Sequence, residues 1–138
     1  MISVRKQEVV KLEDVLHLYQ AVGWTNYTHQ PQMLEQALSH SLAIYMALDG
    51  DAVVGLVRLV GDGFSSVFVQ DLIVLPSYQR QGIGGALMKE ALGDFKDAYQ
   101  VQLVTDQTEK TLGFYRSLGF ETLSTFDCTG MIWLDRKK

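Results

Sequence analysis

Apolar residues recur along the chain with two periods, and the switches between them mark the elements. Ile2 to Lys6 reads as a short strand. Leu12, Val15, Leu16, Tyr19 and Val22 then return every three or four residues, which predicts a helix that stops at Gly23. Trp24-Thr25-Asn26-Tyr27-Thr28-His29 mixes aromatic and polar residues and predicts an exposed loop. Pro31 suits the first turn of a second helix carrying Met33, Leu34, Ala37 and Leu38. Leu42 to Leu48 and Ala52 to Val60 are apolar runs joined at Asp49-Gly50, a dipeptide able to take the positive φ angles of a tight hairpin turn, so they are expected to pair antiparallel.

Beyond the turn Gly61-Asp62-Gly63, Ser66 to Leu75 is the strongest strand signal, and its near-continuous apolar character implies burial on both faces. From Gly82 onward, Ile83, Ala86, Leu87, Ala91 and Phe95 mark one face of a long helix, with Lys89, Glu90, Lys96 and Asp97 mostly opposite. Val101 to Val104 predicts a short strand, and Leu112, Tyr115 and Leu118 a further helix ended by Gly119. Phe120 to Thr125 and Met131 to Asp135 predict two closing strands. The order describes an α+β fold: a mixed, mostly antiparallel sheet of about seven strands with about four helices. Its one parallel crossover runs from strand Ser66–Leu75 through a helix to strand Val101–Val104.

Composition narrows the class. With 138 residues, 47% of them hydrophobic and 20% charged, the chain fits one soluble domain, residues 1–138, around one core. The net charge of −4 comes from interspersed acids and bases, which argues against nucleic acid as a partner; the clear basic end is Arg136-Lys137-Lys138. No uncharged apolar run approaches the roughly 20 residues that span a bilayer, and residues 1–6 carry no signal-peptide core, so no membrane partner and a cytoplasmic setting are expected. The lone Cys128 excludes an intramolecular disulfide, cannot build a zinc site by itself, and reads as a buried small apolar residue.

The chemistry concentrates in Gln79-Arg80-Gln81-Gly82-Ile83-Gly84-Gly85. A buried strand entering a glycine-rich turn and then a helix brings unpaired backbone N–H groups together with the positive end of the helix dipole, a site that suits phosphate oxygens. Gly82, Gly84 and Gly85 let the backbone approach a pyrophosphate, and Arg80 adds charge. A nucleotide-triphosphate loop would need Gly-Lys-Ser/Thr, which is absent. The dinucleotide pattern would put its third glycine where Leu87 stands.

What remains is Gln79-x-x-Gly82-x-Gly84 directly after Asp71-Leu72-Ile73-Val74-Leu75-Pro76, and here the chain resembles the GNAT superfamily of N-acetyltransferases. Thr111-Leu112-Gly113-Phe114-Tyr115-Arg116-Ser117-Leu118-Gly119-Phe120 is similar to a second signature of that family. The two motifs cover about Val67 to Phe120; the N-terminal half agrees in its order of elements.

The resemblance implies acetyl-CoA as donor, held along its pantetheine arm by Leu72, Ile73 and Val74, because the family splays this strand from the following parallel one, and at its pyrophosphate by Gln79, Arg80, Gln81, Gly82, Ile83, Gly84 and Gly85. It implies direct attack by a primary amine in a ternary complex, with the Val74 N–H facing the thioester oxygen and Tyr115 protonating the departing thiolate. Many relatives carry Glu where this chain has Gln70, which leaves the base open among Asp71, another residue, water and an amine already partly neutral. Thr108 stands where many relatives have an asparagine that contacts the cofactor.

The resemblance also places Trp24, Asn26 and Tyr27 on one side of the acceptor and Phe126 and Asp127 on the other, an aromatic wall with one carboxylate that suits a cation. Trp24 reads equally as a core plug after Gly23. His17, His29 and His40 read as surface or capping residues, His29 being the one beside the aromatic loop. The acceptor is then a small amine, with apolar or aromatic character, or a protein amine. The alternative is a catalytically silent acyl-CoA-binding sensor or interaction module. A homodimer is the assembly that symmetry statistics and the resemblance suggest.

Overall fold

The computed structural model describes residues 1–135; the basic end Arg136-Lys137-Lys138 lies outside them. The chain forms two compact units, Met1–Val104 and a second beginning at Thr105.

The first unit is a five-stranded sheet in the order β1-β2-β3-β4-β5, made by Ile2–Gln7, Ala43–Asp49, Ala52–Gly61, Ser66–Val74 and Gln100–Leu103. Neighbours pair antiparallel except β4 and β5, which run parallel through the crossover helix α4, Ile83–Asp94. Residues 43 to 47 of β2 are all buried, because the period-two alternation sends them to two covered faces. Ile44 and Met46 pack with Val15, Leu18 and Tyr19 of α1, Leu12–Ala21, and with Leu34 and Leu38 of α3, Pro31–Ser39. On the other face Ala47 lies beside Leu87 of α4 at Gly55, and the Tyr45 hydroxyl donates to Asp94 Oδ2 at 2.6 Å. Gly55 is needed there: a Cβ would come within 3.1 Å of the Ile73 carbonyl and 3.2 Å of Leu87.

Several expectations change. The aromatic segment is not a plain loop: Thr25–Thr28 makes one helical turn, α2, whose Tyr27 side chain turns inward. β4 buries Val67, Val69, Asp71 and Ile73 but leaves Phe68, Leu72 and Val74 half-covered, so one face is more open than the apolar run suggests. The closing strands are absent among the described residues, and the sheet has five strands rather than seven. Leu123–Phe126 instead forms a 3₁₀ turn, with Thr122 linked to Ser124 and Thr125 through hydroxyls and with Asp127 and Cys128 N–H groups closing back on it. Ser and Thr side chains offer the backbone these local partners in place of a ladder. Met131 to Asp135 forms no strand among the described residues.

The second unit carries α5, Glu109–Ser117. Cys128 is exposed, not buried. No helix among the described residues is long and apolar enough to cross a membrane.

Candidate functional site

β4 pairs with β5 only from Ser66 to Val69, so from Gln70 onward one edge of β4 has no strand beside it among the described residues. Gln70 is also where the β3 register slips: Leu59 faces Val69 and Arg58 faces Asp71, so Gln70 is the extra residue of a bulge. A bulge bends its strand and ends regular pairing. Past it, the Leu75 N–H donates to the Val54 carbonyl at 2.9 Å. Because N–H groups alternate between the two edges of a strand, Ile73 also turns its backbone to β3, while Leu72 and Val74 turn theirs to the open edge. The Val74 carbonyl fits this assignment, since it accepts from Gln79 Nε2 at 3.1 Å. Leu72 and Val74 are thus the two residues of this stretch with backbone to offer a ligand; Ile73, also expected in that role, is buried in the core.

The open edge leads through a 3₁₀ turn, Pro76–Tyr78, into the glycine segment. Arg80 and Gly82 both have positive φ, 65° and 81°. Alternating handedness of this kind turns successive N–H groups into a concave anion-binding nest. Gly82 is the N-cap of α4, and no side chain caps the helix, so its first-turn N–H groups point outward without a side-chain acceptor. Ile83 is buried and roots the helix start in the core. A Cβ added at Gly82 or Gly85 would meet nothing within 4 Å, unlike Gly55 or Gly61, where it would strike the chain's own backbone. The protein's own packing does not demand glycine at Gly85, and the space before it fits the close approach of a pyrophosphate.

Beneath the bulge lies a polar cluster inside the core. Asp71 is 2% exposed. Its Oδ2 accepts from Arg58 Nε at 2.7 Å and from the Tyr19 hydroxyl at 2.8 Å; its Oδ1 accepts from the Tyr27 hydroxyl at 2.9 Å. Arg58 sends Nη2 to the Tyr27 oxygen at 3.3 Å and Nη1 to Ser41 Oγ at 3.3 Å, and Gln70 Nε2 reaches the Tyr27 oxygen at 3.4 Å. Burial and the neighbouring Asp71 carboxylate push the Tyr19 hydroxyl well above its ordinary range and raise that of Tyr27. Burial works against the Arg58 charge, and Asp71 more than offsets it, so Arg58 is held more firmly protonated. No buried side-chain polar atom among the described residues is left without a partner. Sequence reasoning singled out Asp71 and Tyr27 but missed Arg58 and Tyr19. A lone charge inside the apolar run Val53 to Val60 was the available signal, because a doubly covered strand admits an arginine only beside a counter-ion.

Trp24 packs its ring against Tyr19 and Tyr27, with centroids 6.1 and 6.3 Å away, and lies half-buried against the core cluster. Asn26 is exposed and gives its carbonyl to Gln30 Nε2. His17 bonds the Val53 carbonyl, His40 bonds the Gln36 carbonyl, and His29 caps the end of α2.

In the second unit, the Tyr115 ring meets Phe114 and Phe120 edge-on at 5.0 and 5.9 Å. Burial, then the Asp106 charge, raise its hydroxyl above the ordinary tyrosine range, so it stays protonated. Thr108 is the N-cap of α5: its Oγ1 accepts from the Thr111 N–H and donates to Asp106 Oδ1 at 2.7 Å. Phe126 is two-thirds exposed, and Asp127 follows it with φ of 57°.

An open strand edge thus leads into a glycine-rich helix start that no side chain caps. Residues 40–122 match the model of the acetyltransferase (GNAT) domain family, and the chain belongs to that family. It is similar to a serotonin N-acetyltransferase 2 of rice, described as chloroplastic, with 30% identity over 95 residues, covering 66% of this chain and 48% of that one. It is also similar to the chloroplastic GCN5-related N-acetyltransferase 1 of Arabidopsis thaliana, 29% identical over 119 residues, covering 84% and 59%. The chain thus spans about half to three-fifths of the length of these plant relatives. Among solved structures, a GNAT-family acetyltransferase of Streptococcus pneumoniae TIGR4 superposes with a TM-score of 0.92 at 80% identity, covering 99% of each chain. A probable acetyltransferase from meticillin-resistant Staphylococcus aureus does so at 0.81 with 25% identity, covering 98% of this chain and all of the other.

Proposed function

We propose that the chain transfers an acetyl group from acetyl-CoA to a primary amine by direct attack in a ternary complex. The observation that carries this reading is the continuity of the open β4 edge with the nest at Arg80 and Gly82 and the uncapped start of α4. Bound acetyl-CoA supplies an activated acyl carbon. The Leu72 and Val74 backbone holds the pantetheine amides, and the Val74 N–H donates to the oxygen that gains charge as the amine attacks. The nest and the first-turn N–H groups of α4 hold the pyrophosphate, with Arg80 beside them. Nitrogen gains the acetyl group and gives up a proton to water, and sulfur leaves with the proton of Tyr115, whose raised hydroxyl keeps that proton at neutral pH and regains one from water after transfer.

The acceptor is a small or protein amine, reached from the α2 side at Tyr27 and Asn26. Asp71 is spent on three donors, which favours a supporting role over that of a base. A cytoplasmic homodimer accompanies this reading, and sedimentation equilibrium at twice the monomer mass is its check.

Gln70 favours one rival, a silent acyl-CoA sensor, since an amide at the bulge takes no proton. Thiol release from acetyl-CoA across a panel of primary amines separates the two: amine-dependent release supports transfer, and binding without release on any amine supports the sensor.

A further inference from the structure

The buried cluster says more about the acceptor than the loop sequence does. The Tyr27 proton is committed to Asp71, so its oxygen presents lone pairs rather than a donor, and the contacts it accepts from Arg58 and Gln70 are long, 3.3 and 3.4 Å. Both contacts exceed the usual hydrogen-bond range, so the oxygen is weakly engaged as an acceptor. The charged and titratable groups facing the Tyr27 hydroxyl are Tyr19 from α1, Arg58 from β3 and Asp71 from β4; α3 contributes only the Ala37 carbonyl, at 3.5 Å from Arg58. The Asp71 charge is cancelled by Arg58 at 2.7 Å, and the guanidinium carbon lies 6.0 Å from the Tyr27 ring centroid. A second cation at this ring would meet a like charge and no net counter-charge.

We propose that Tyr27 is the residue that receives the acceptor amine, that Arg58, Asp71 and Tyr19 are positioning residues for its hydroxyl, and that the site selects neutral, weakly basic amines. This rests on the acetyl-transfer reading. The substrate class is an amine with much of its population uncharged near neutrality, such as the α-amino group of a peptide or an amino-acid amide, rather than a lysine ε-amine. At pH 7.5 the neutral fraction of the first, with pKa about 7.8, exceeds that of the second, near 10.4, by on the order of a few hundredfold. The amine sheds its proton to water before it binds, and the proton released after attack passes to water.

The test uses two peptides as probes, one with a free N-terminus and no lysine, one N-acetylated with a single lysine. kcat/KM is measured from pH 6 to 9.5, alongside thermal stabilisation by CoA. The expected profile for the first peptide levels off near its own amine pKa, while the second rises tenfold per pH unit throughout. Tyr27→Phe is expected to raise KM for the amine about tenfold while the profile still follows the amine. Tyr19→Phe, which keeps the ion pair, is expected to raise KM with kcat nearly intact. Two profiles that level at one shared pH would assign the ionisation to an enzyme group and overturn the proposal. An unchanged KM in Tyr27→Phe, or no turnover of either peptide with CoA stabilisation intact, would overturn it too. Loss of CoA stabilisation in the unaltered chain would instead remove the acetyl-CoA reading beneath it.

Discussion

Arg58 and Asp71 are each nearly sealed from solvent, with side chains 5% and 2% exposed, and each is the other's counter-ion. Breaking such a pair strands the survivor, which costs about 3–5 kcal/mol, whereas replacing both partners with apolar residues of similar volume is often close to neutral. Arg58→Met should therefore lower unfolding free energy in urea by about 3 kcal/mol or more, and Arg58→Met with Asp71→Leu should recover much of it. Equal losses in both variants would show that the pair is not coupled. Tyr115 makes a different prediction, because its proposed work is chemical. Tyr115→Phe should reduce turnover by about 10²-fold or more and leave the Kd of acetyl-CoA unchanged, as pre-steady-state kinetics and calorimetric titration would show. At this scale the sequence was informative where a motif surrounds the residue, as at Tyr115 and Gly82. It was silent on Tyr19, whose position on an apolar helix face conceals a hydroxyl aimed across the core at a carboxylate 52 residues later.

The helix start and the turn before β4 show how elements carry these roles. Gly85 lies in the first turn of α4, with an ordinary helical φ and open space where a Cβ would stand. Gly85→Ala should then stabilise the fold by about 0.5–1 kcal/mol through helix propensity, yet weaken acetyl-CoA binding by crowding the pyrophosphate. A variant that is more stable and binds equally well would remove the reason given for this glycine. At the β3–β4 turn, Asp62 accepts from the Ser65 hydroxyl and from the Phe64, Ser65 and Ser66 N–H groups, which hold its carboxyl well below the ordinary value of 3.8. A depressed carboxyl contributes stability above its unfolded value and loses it as pH falls, so the contribution of this turn should fade below about pH 4. Asp62→Asn should be less stable at pH 7 and flatter from pH 5 to 2 by thermal denaturation. The elements themselves were legible where periodicity is long and capped, as in α1, α3, α4 and the β2–β3 hairpin. Thr25–Thr28 was not, since four residues cannot show a helical period, and Phe120 to Thr125 reads as a strand only until its Ser and Thr hydroxyls are counted.

For the whole molecule, the sequence pointed to the mixed sheet, the parallel crossover and the family, and it overstated the number of strands. Apolar character alone does not make a strand, as Met131 to Asp135 shows. The bulge at Gln70 was hidden, because it is a property of the pairing between strands rather than of either strand, whereas the resemblance already implied the splayed parallel pair. Ligand linkage reads the first unit as a whole: acetyl-CoA at 100 times its Kd should raise unfolding free energy by about 2.7 kcal/mol. The most direct test of the central claim is thiol release from acetyl-CoA in the presence and absence of primary amines, with the amine product weighed by mass spectrometry. The account predicts amine-dependent release matched one to one by N-acetylated product. Saturable acetyl-CoA binding with no acetylated amine from any member of a broad panel would contradict it.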